Sequence, residues 1–235
     1  MKIAILSDIH GNIFALDAVL EKVIQAEVNR IIFLGDFTGY YYHPRQVFDR
    51  LNELSATMIL GNHEHMLFDF ADGLLDGEVL RKKYGSGHKL ALQQFTTSEL
   101  NHIRKLPDYH FETINNFSIG CFHGSPFDPN FYLYPDVSPD ILSKCNIGVD
   151  FVFVGHSHYP FITKLGYGIL VNVGSVGQSR IAGGLASWCL WDAESGAYAL
   201  QETYYDTQLL LELIDHYDPD IDYLNKVLKR SVNER

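Results

Sequence analysis

The chain alternates between short, continuous apolar runs and segments with helical spacing. The runs are Ile3 to Leu6, Ile31 to Leu34, Thr57 to Leu60, Phe117 to Phe122, Phe151 to Val154 and Ile169 to Val173. Each has the length and the branched or aromatic content of a buried strand. Between the first two, Leu16, Val19, Leu20, Val23 and Ile24 fall at i, i+3, i+4, i+7 and i+8, which predicts the buried face of a helix. A second helix is predicted from Pro44, where a missing N–H costs nothing, with Val47, Phe48 and Leu51 turned inward. Strands and helices in alternation predict right-handed crossovers and a largely parallel sheet.

The pattern changes from His65 to Pro107, where no strand-like run occurs. Leu90, Leu92 and Phe95 share one helical piece, and Thr96-Thr97-Ser98-Glu99, a capping-box pattern, starts another that stops before Pro107. The expectation is a helical cap, at about 65–107, inserted into a single domain spanning 1–235. From Phe161 onward the pattern turns to hairpins. Ser187 to Asp192 and Ala197 to Thr203 flank the turn signal Glu194-Ser195-Gly196 and suggest a second sheet packed on the first. Thr207 to Arg235 reads as helical and peripheral.

With 46% hydrophobic and 20% charged residues, the 235-residue chain has enough apolar material for a sizeable core. A formal net charge of −11 with no basic run argues against general binding to nucleic-acid backbones. Bound divalent cations can still make one acidic pocket attractive to phosphate. Cys121, Cys145 and Cys189, odd in number and without a CxxC, fit reduced thiols in a cytoplasmic protein. The opening apolar stretch, Ile3 to Leu6, is too short for a signal peptide or a membrane span.

Candidate chemistry clusters just after the predicted strands. Asp8 and His10 follow the first, Asp36 the second, and Asn62 with His63 and Glu64 the third. His123 follows the fourth, and His156 with His158 the fifth. The carboxyl ends of parallel strands share one edge, so residues scattered from 8 to 158 are expected to converge there. Carboxylates and imidazoles without a thiolate suit Mn, Fe, Zn, Co or Ni and disfavour a structural zinc. Seven candidates, leaving His63 and Glu64 aside, are too many for one tetrahedral ion and about right for two ions that share a bridge. Singly, each has an ordinary explanation: Asp8 as a helix cap, Asp36 as a turn residue, His123 as a structural histidine. Together, at successive strand ends, they point to a metal centre.

Asp-x-His, Gly-Asp, Gly-Asn-His-Glu, His-Gly and Gly-His-x-His, in this order, resemble the calcineurin-like metallophosphoesterase superfamily, over Asp8 to about Arg180. Asn172-Val173-Gly174-Ser175-Val176-Gly177-Gln178 and His123-Gly124-Ser125-Pro126 resemble its small prokaryotic phosphodiesterase and phosphatase branch. The resemblance implies an α/β fold, a four-layer α/β/β/α sandwich of two mixed sheets. It implies Asp8, His10, Asp36 and His158 on a first metal, and Asp36, Asn62, His123 and His156 on a second, with Asp36 bridging. The chain departs from the pattern at Tyr40-Tyr41-Tyr42-His43-Pro44 and at Ile181-Ala182-Gly183-Gly184, outside the ligand positions, which bears on the substrate.

The activity implied is hydrolysis of a small phosphate ester. Two ions about 3.5–4 Å apart would activate a bridging water for in-line attack on phosphorus. His63, beside a ligand but not assigned to a metal, is a catalytic candidate for stabilising the transition state or protonating the leaving oxygen. Asn62, His63 and Arg180 are substrate-binding candidates, and Glu64 is a supporting group. Tyr40, Tyr41, Tyr42, Phe131, Tyr132 and Tyr134 either stack on a nucleobase or, for most of them, pack the cap onto the body. Phosphodiesterase and phosphomonoesterase, including protein phosphatase, both fit this core. A non-catalytic module is disfavoured because every ligand position is filled.

Overall fold

The structure, a computed structural model, describes residues 1–231. The first apolar runs become β1 (Lys2–Leu6), β2 (Arg30–Phe33) and β3 (Thr57–Met58), separated by α1 (Ile13–Gln25) and α2 (Pro44–Glu53). All three strands are parallel neighbours in the order β1-β2-β3. β3 is shorter than predicted. The Ile59 N–H still donates to Phe33 O at 3.1 Å, but the Leu60 N–H donates to Pro107 O at 2.8 Å and the chain leaves the sheet. The helix face predicted on α1 is buried at Leu16, Val19, Leu20 and Val23, whereas Ile24, in the last turn, is 73% exposed.

The segment after β3 folds as α3 (Asn62–Ala71), α4 (Gly77–Tyr84), α5 (Gly87–Gln94) and α6 (Thr97–Ile103). The capping box at Thr96 is present: the Thr96 hydroxyl accepts from Glu99 N–H, and the Glu99 carboxylate accepts from Thr96 N–H at 2.8 Å. Ala91, Phe95, Leu100 and Ile103 pack with α1 and α2 on the outer face of β1 and β2. These helices therefore contribute to the main core.

β4 (Tyr109–Ile114), β5 (Phe117–Phe122), α7 (Pro139–Cys145), β6 (Phe151–Val154), β7 (Phe161–Lys164) and β8 (Ile169–Asn172) follow. These strands form the second sheet, in the order β4-β5-β6-β8-β7, with β5, β6 and β8 parallel and the two edges antiparallel. The hairpin of β9 (Leu185–Asp192) and β10 (Tyr198–Tyr204) was expected to build that sheet. It joins the first instead, β9 lying antiparallel beside β1 with Ile3 opposite Trp191. The reason is β9's two apolar faces: Trp188 and Ala186 belong to the outer core, Cys189 and Trp191 to the inner one.

Both sheets are mixed, and between them Ile3, Ile5, Ile32 and Leu34 meet Ile119, Phe151, Phe153 and Val171. Beyond the second sheet, Val152, Val154 and Leu170 pack on Leu133 and on Cys145 of α7. The layers are helix, sheet, sheet, helix. Burying an aliphatic side chain of this size contributes roughly 1.5–3 kcal/mol, so the inner layer locks the two sheets in register. The last helices, α8 (Gln208–Tyr217) and α9 (Asp222–Leu228), are not peripheral. Leu210, Ile214 and Leu224 pack on Tyr40, Tyr41 and Tyr42, and buried Asp218 accepts from the Tyr42 hydroxyl and from Ser86 N–H and Oγ–H. The remainder of the predicted terminal helix, 232–235, lies outside the described residues.

Candidate metal centre

The three strand ends of the first sheet and two of the second open at one end of the sandwich. There Asp8, His10 and Asp36 meet His123, His156 and His158, all buried, with half-buried Asn62 among them. Ligand-type atoms gather in overlapping groups within 4.8 Å: Asp8, His10 and His158; His10, Asp36 and His63; Asp36, His123 and His156. All the site residues singled out in the sequence except Arg180 thus come together in these groups or directly against them. Arg180 stands two rings away, over Tyr223 at 5.5 Å from its centroid, with Tyr40 between Tyr223 and His10.

The tautomers follow from the carbonyls around the rings. His10 Nδ1 faces Thr38 O at 3.0 Å, His123 Nδ1 faces Leu34 O at 2.8 Å and His158 Nδ1 faces Gln178 O at 2.7 Å. A carbonyl only accepts, so each Nδ1 carries a hydrogen; Nε2 of His10 and His158 presents a lone pair, and Nε2 of His123 does so once that ring gives up its second proton. Those lone pairs point at one another and at oxygens. His10 Nε2 lies 3.1 Å from His158 Nε2, and His158 Nε2 lies 3.1 Å from Asp8 Oδ1. His123 Nε2 lies 3.2 Å from Asp36 Oδ2 and 2.9 Å from Asn62 Oδ1. His156 gives Nε2 to Asn130 O at 3.2 Å, which leaves Nδ1 as its free lone pair. A buried convergence of acceptors without matching donors is the arrangement that a cation satisfies. The residues fit divalent transition ions.

The electrostatics say the same. Burial pushes His10 and His156 down to about 4, so both rings are neutral and ready to ligate. Burial works against charging His123 too, but Asp36, and then Asp8, push it up to about 10. Burial would raise the Asp36 carboxyl, yet His123 and His63 hold it well below the usual range. Asp8, likewise raised by burial, is brought down to about 2 chiefly by His158. A divalent cation would displace the His123 proton and take over its role.

The backbone is bent to make this possible. Asp8, His10, Asp36, His156 and His158 all have φ between 55° and 64°, and they are five of the eight non-glycine residues with positive φ among the described ones. Each such residue costs of order 1–3 kcal/mol. Close approach also demands glycine at two flanking positions. A Cβ on Gly61 would collide with Asp36 Oδ1, and one on Gly155 would run into Asp8 Oδ2. Glu64, fully buried, accepts from Asp36 N–H at 2.7 Å, Gly61 N–H at 2.8 Å and Thr38 N–H at 3.1 Å, tying together the loops after β2 and β3.

His63 has its backbone N–H on Asp36 Oδ1 at 2.8 Å, while its ring Nδ1 has no partner among the described residues. Its ring is held among aromatic rings: His10 at 4.8 Å, Tyr40 at 5.0 Å, Tyr84 at 4.7 Å and His88 stacked in parallel at 5.1 Å. His88 and Tyr84 escaped the sequence reading because a lone histidine and a lone tyrosine in a helical segment carry no motif. Tyr40, Tyr41 and Tyr42 are buried as packing residues. Tyr132 is different: it is 50% exposed and lies face-on to His156 at 3.9 Å, at the mouth.

The sequence matches the model of the calcineurin-like phosphoesterase superfamily domain over residues 1–196. The chain belongs to that superfamily. This phosphoesterase is 31% identical, over 232 residues, to the uncharacterized protein MJ0912 of Methanocaldococcus jannaschii, an alignment covering 90% of this chain and 91% of the relative. Its fold is similar to that of the hypothetical protein PH1004 from Pyrococcus horikoshii OT3, with a TM-score of 0.84 at 22% identity, covering 97% and 98% of the two chains. It is similar also to a metallophosphoesterase from Sphaerobacter thermophilus, with a TM-score of 0.80 at 23% identity and the same coverage. The phosphoesterase has buried His/Asp clusters able to bind the metal on which this family depends. No helix among its described residues is long and apolar enough to cross a membrane.

Proposed function

We propose that this phosphoesterase hydrolyses a small phosphodiester at a centre of two divalent transition-metal ions. Asp8, His10, Asp36 and His158 hold one ion, and Asp36, Asn62, His123 and His156 the other. The observation that carries this reading is the buried convergence of His10, His123 and His158 Nε2 lone pairs on Asp8, Asp36 and Asn62 oxygens. When bound, the ions supply charge neutralisation for the phosphoryl oxygens and a water activated at neutral pH.

The chain's own groups do the rest. Asp36 serves both positions through one carboxylate, and Glu64 holds its backbone. Burial keeps the His63 ring well below its ordinary range. His63 is therefore neutral in the resting site, and one of its ring nitrogens lies within 4.8 Å of ligand-type atoms of His10 and Asp36, from where it can meet the leaving oxygen. Tyr84 and His88 on one side, and Tyr132 on the other, narrow the approach and favour small esters over folded phosphoproteins. The single domain with its helical insertion supplies that wall, and Arg180, which has no carboxylate partner among the described residues, could meet a substrate phosphate.

Turnover of bis(p-nitrophenyl) phosphate and of p-nitrophenyl phosphate, each with Mn added, tests the reading. The diester is expected to be the better substrate. Faster turnover of the monoester would overturn the diesterase assignment and leave a phosphomonoesterase. Turnover of either without divalent metal, after chelation, would overturn the metal assignment.

A further inference from the structure

Among the described residues, arginines are almost all neutralised by a neighbour. Arg30 pairs with Glu112, Arg45 with Asp49 and Glu99, Arg50 with Asp17, Arg81 with Asp218 and Asp220, and Arg104 with Asp72. Arg180 and Arg230 are the exceptions. Neither has a carboxylate of a described residue within 4.0 Å, although the chain carries 29 acidic residues and a net charge of −11. Both line one cavity of about 720 Å³, together with Pro135, Tyr159, Pro160 and Glu202. That volume lies within the roughly 300–1,000 Å³ of small-molecule sites. Arg230 Nη1 donates to Arg180 O at 3.1 Å, which fixes the two residues side by side. Glu202 shares the cavity without reaching either guanidinium.

The cavity adjoins the metal centre through aromatic rings. Tyr132 lies face-on to His156 at 3.9 Å, Tyr134 stacks parallel to Tyr132 at 6.0 Å, and Tyr159, which follows His158 in the chain, meets Tyr134 edge-on at 5.7 Å. Arg180 completes the link from the other side: it lies over Tyr223 at 5.5 Å, and Tyr223 meets Tyr40, which touches His10, at 6.2 Å. Two guanidinium forks without carboxylate partners, at the far end of an aromatic wall, suit a phosphate: the planar fork matches phosphate oxygens and delivers charge-assisted hydrogen bonds.

We propose that this cavity binds a second phosphate carried by one alcohol half of the substrate. The substrate class is then an organic phosphodiester bearing a further phosphate, with its body lying along Tyr132, Tyr134 and Tyr159. The inference rests on the diesterase reading of the metal centre, and two measurements separate them. The first compares dinucleoside monophosphates with the same molecules phosphorylated at the 5′ or the 3′ end, beside bis(p-nitrophenyl) phosphate. One phosphorylated form is expected to exceed its unphosphorylated parent at least about tenfold in kcat/KM, one such contact being equivalent to about 1.4 kcal/mol. In Arg230→Gln that preference falls toward one, and in Arg230→Lys, which keeps the charge, part of it returns. Equal kcat/KM for all forms in the unmodified protein overturns the proposal.

The second measurement titrates inorganic phosphate into the Mn-loaded protein by calorimetry, where no turnover is needed. Two binding events per chain are expected, one of them lost in Arg230→Gln with metal content unchanged. One event, unaffected by the substitution, overturns the cavity whatever the protein hydrolyses. Two events in a protein that turns over no diester uphold the cavity and sink the diesterase reading instead.

Discussion

Changing Asp36 to Asn removes a single charge with almost no change in shape, and the structure indicates how large the effect should be. His123 Nε2 lies 3.2 Å from Asp36 Oδ2, and its ring is pushed from 6.5 up to about 10 although burial acts in the opposite direction. At about 1.36 kcal/mol per tenfold change, the site favours a single positive charge at that ring by roughly 5 kcal/mol. Asp36 is the largest contributor in that direction, ahead of Asp8. A divalent ion feels the same field at least as strongly. Asp36→Asn should therefore weaken Mn binding by at least about 100-fold, equivalent to about 2.7 kcal/mol, and at both positions if one carboxylate serves both as proposed. A second consequence is independent of affinity. At pH 7 His123 is protonated before metal uptake and must release that proton, whereas in the Asp36→Asn variant burial dominates and the ring is already neutral. Calorimetric titration of chelator-treated protein with Mn, in two buffers of different ionisation enthalpy, reads affinity and proton release together. Two Mn per chain at unchanged affinity, with the same proton release, would refute the bridging role and the electrostatic argument behind it.

His63→Ala should keep both metals and lose about 10²–10⁴ in kcat, more for an alkyl ester than for an activated aryl ester; metal loss in step with activity would make His63 structural. Glu64→Gln sets an amide NH2 against one or two of the three backbone N–H groups that donate to the Glu64 carboxyl oxygens. It should lower stability by about 2–4 kcal/mol and reduce metal content, and denaturant unfolding that matches the unmodified protein would discount its role. For the chelator-treated protein, His10, His88 and His156 are each held down at about 4 by burial. Their folded values lie below the unfolded value of about 6.5, so the stability they confer is complete above that pH and is lost as pH falls toward 4. In that window Asp8, at about 2, is ionised in the native state, whereas His123 and Glu64, raised to about 10 and about 8, run the other way, His123 only above 6.5 and Glu64 down to 4.5, and offset part of the fall from the three histidines. Unfolding free energy measured at half-unit steps should fall steadily, and a flat profile from about pH 7 to 4 would contradict it.

The legible parts of the chain were those whose signal is local. Leu16, Val19, Leu20 and Val23 repeat with helical period because they face one core, and Thr96-x-x-Glu99 is a reciprocal hydrogen-bond pattern within one turn. Asp8, Asp36, His123 and His156 were legible as a group because each follows a strand, and parallel strands of both sheets end on one side. The rest depended on partners distant in sequence. β4 and β7 are edge strands, and Tyr109, Phe111 and Ile162 stand exposed on them, so neither shows a buried apolar run. β9 and β10 join their sheet through the pairing of β9 with β1, a strand from the opposite end of the chain; the two apolar faces of β9 call for a covered position but do not name that partner. His88 and Arg230 become informative only through what lies across from them: the face of His63 for one, and the shared cavity with Arg180 for the other.

The positive-φ backbone at Asp8, His10, Asp36, His156 and His158 sets stability and chemistry against each other at the same residues. Glycine adopts that conformation without penalty, so at these positions a residue that destroys ligation relieves torsional strain of order 1–3 kcal/mol. Selection for thermal robustness alone would erode the centre from within and leave the sandwich intact. Stabilising libraries screened only for folded protein should accordingly accumulate glycine or asparagine at positions 8, 36 and 158, and an inert relative with a higher melting temperature is the natural end point of that drift.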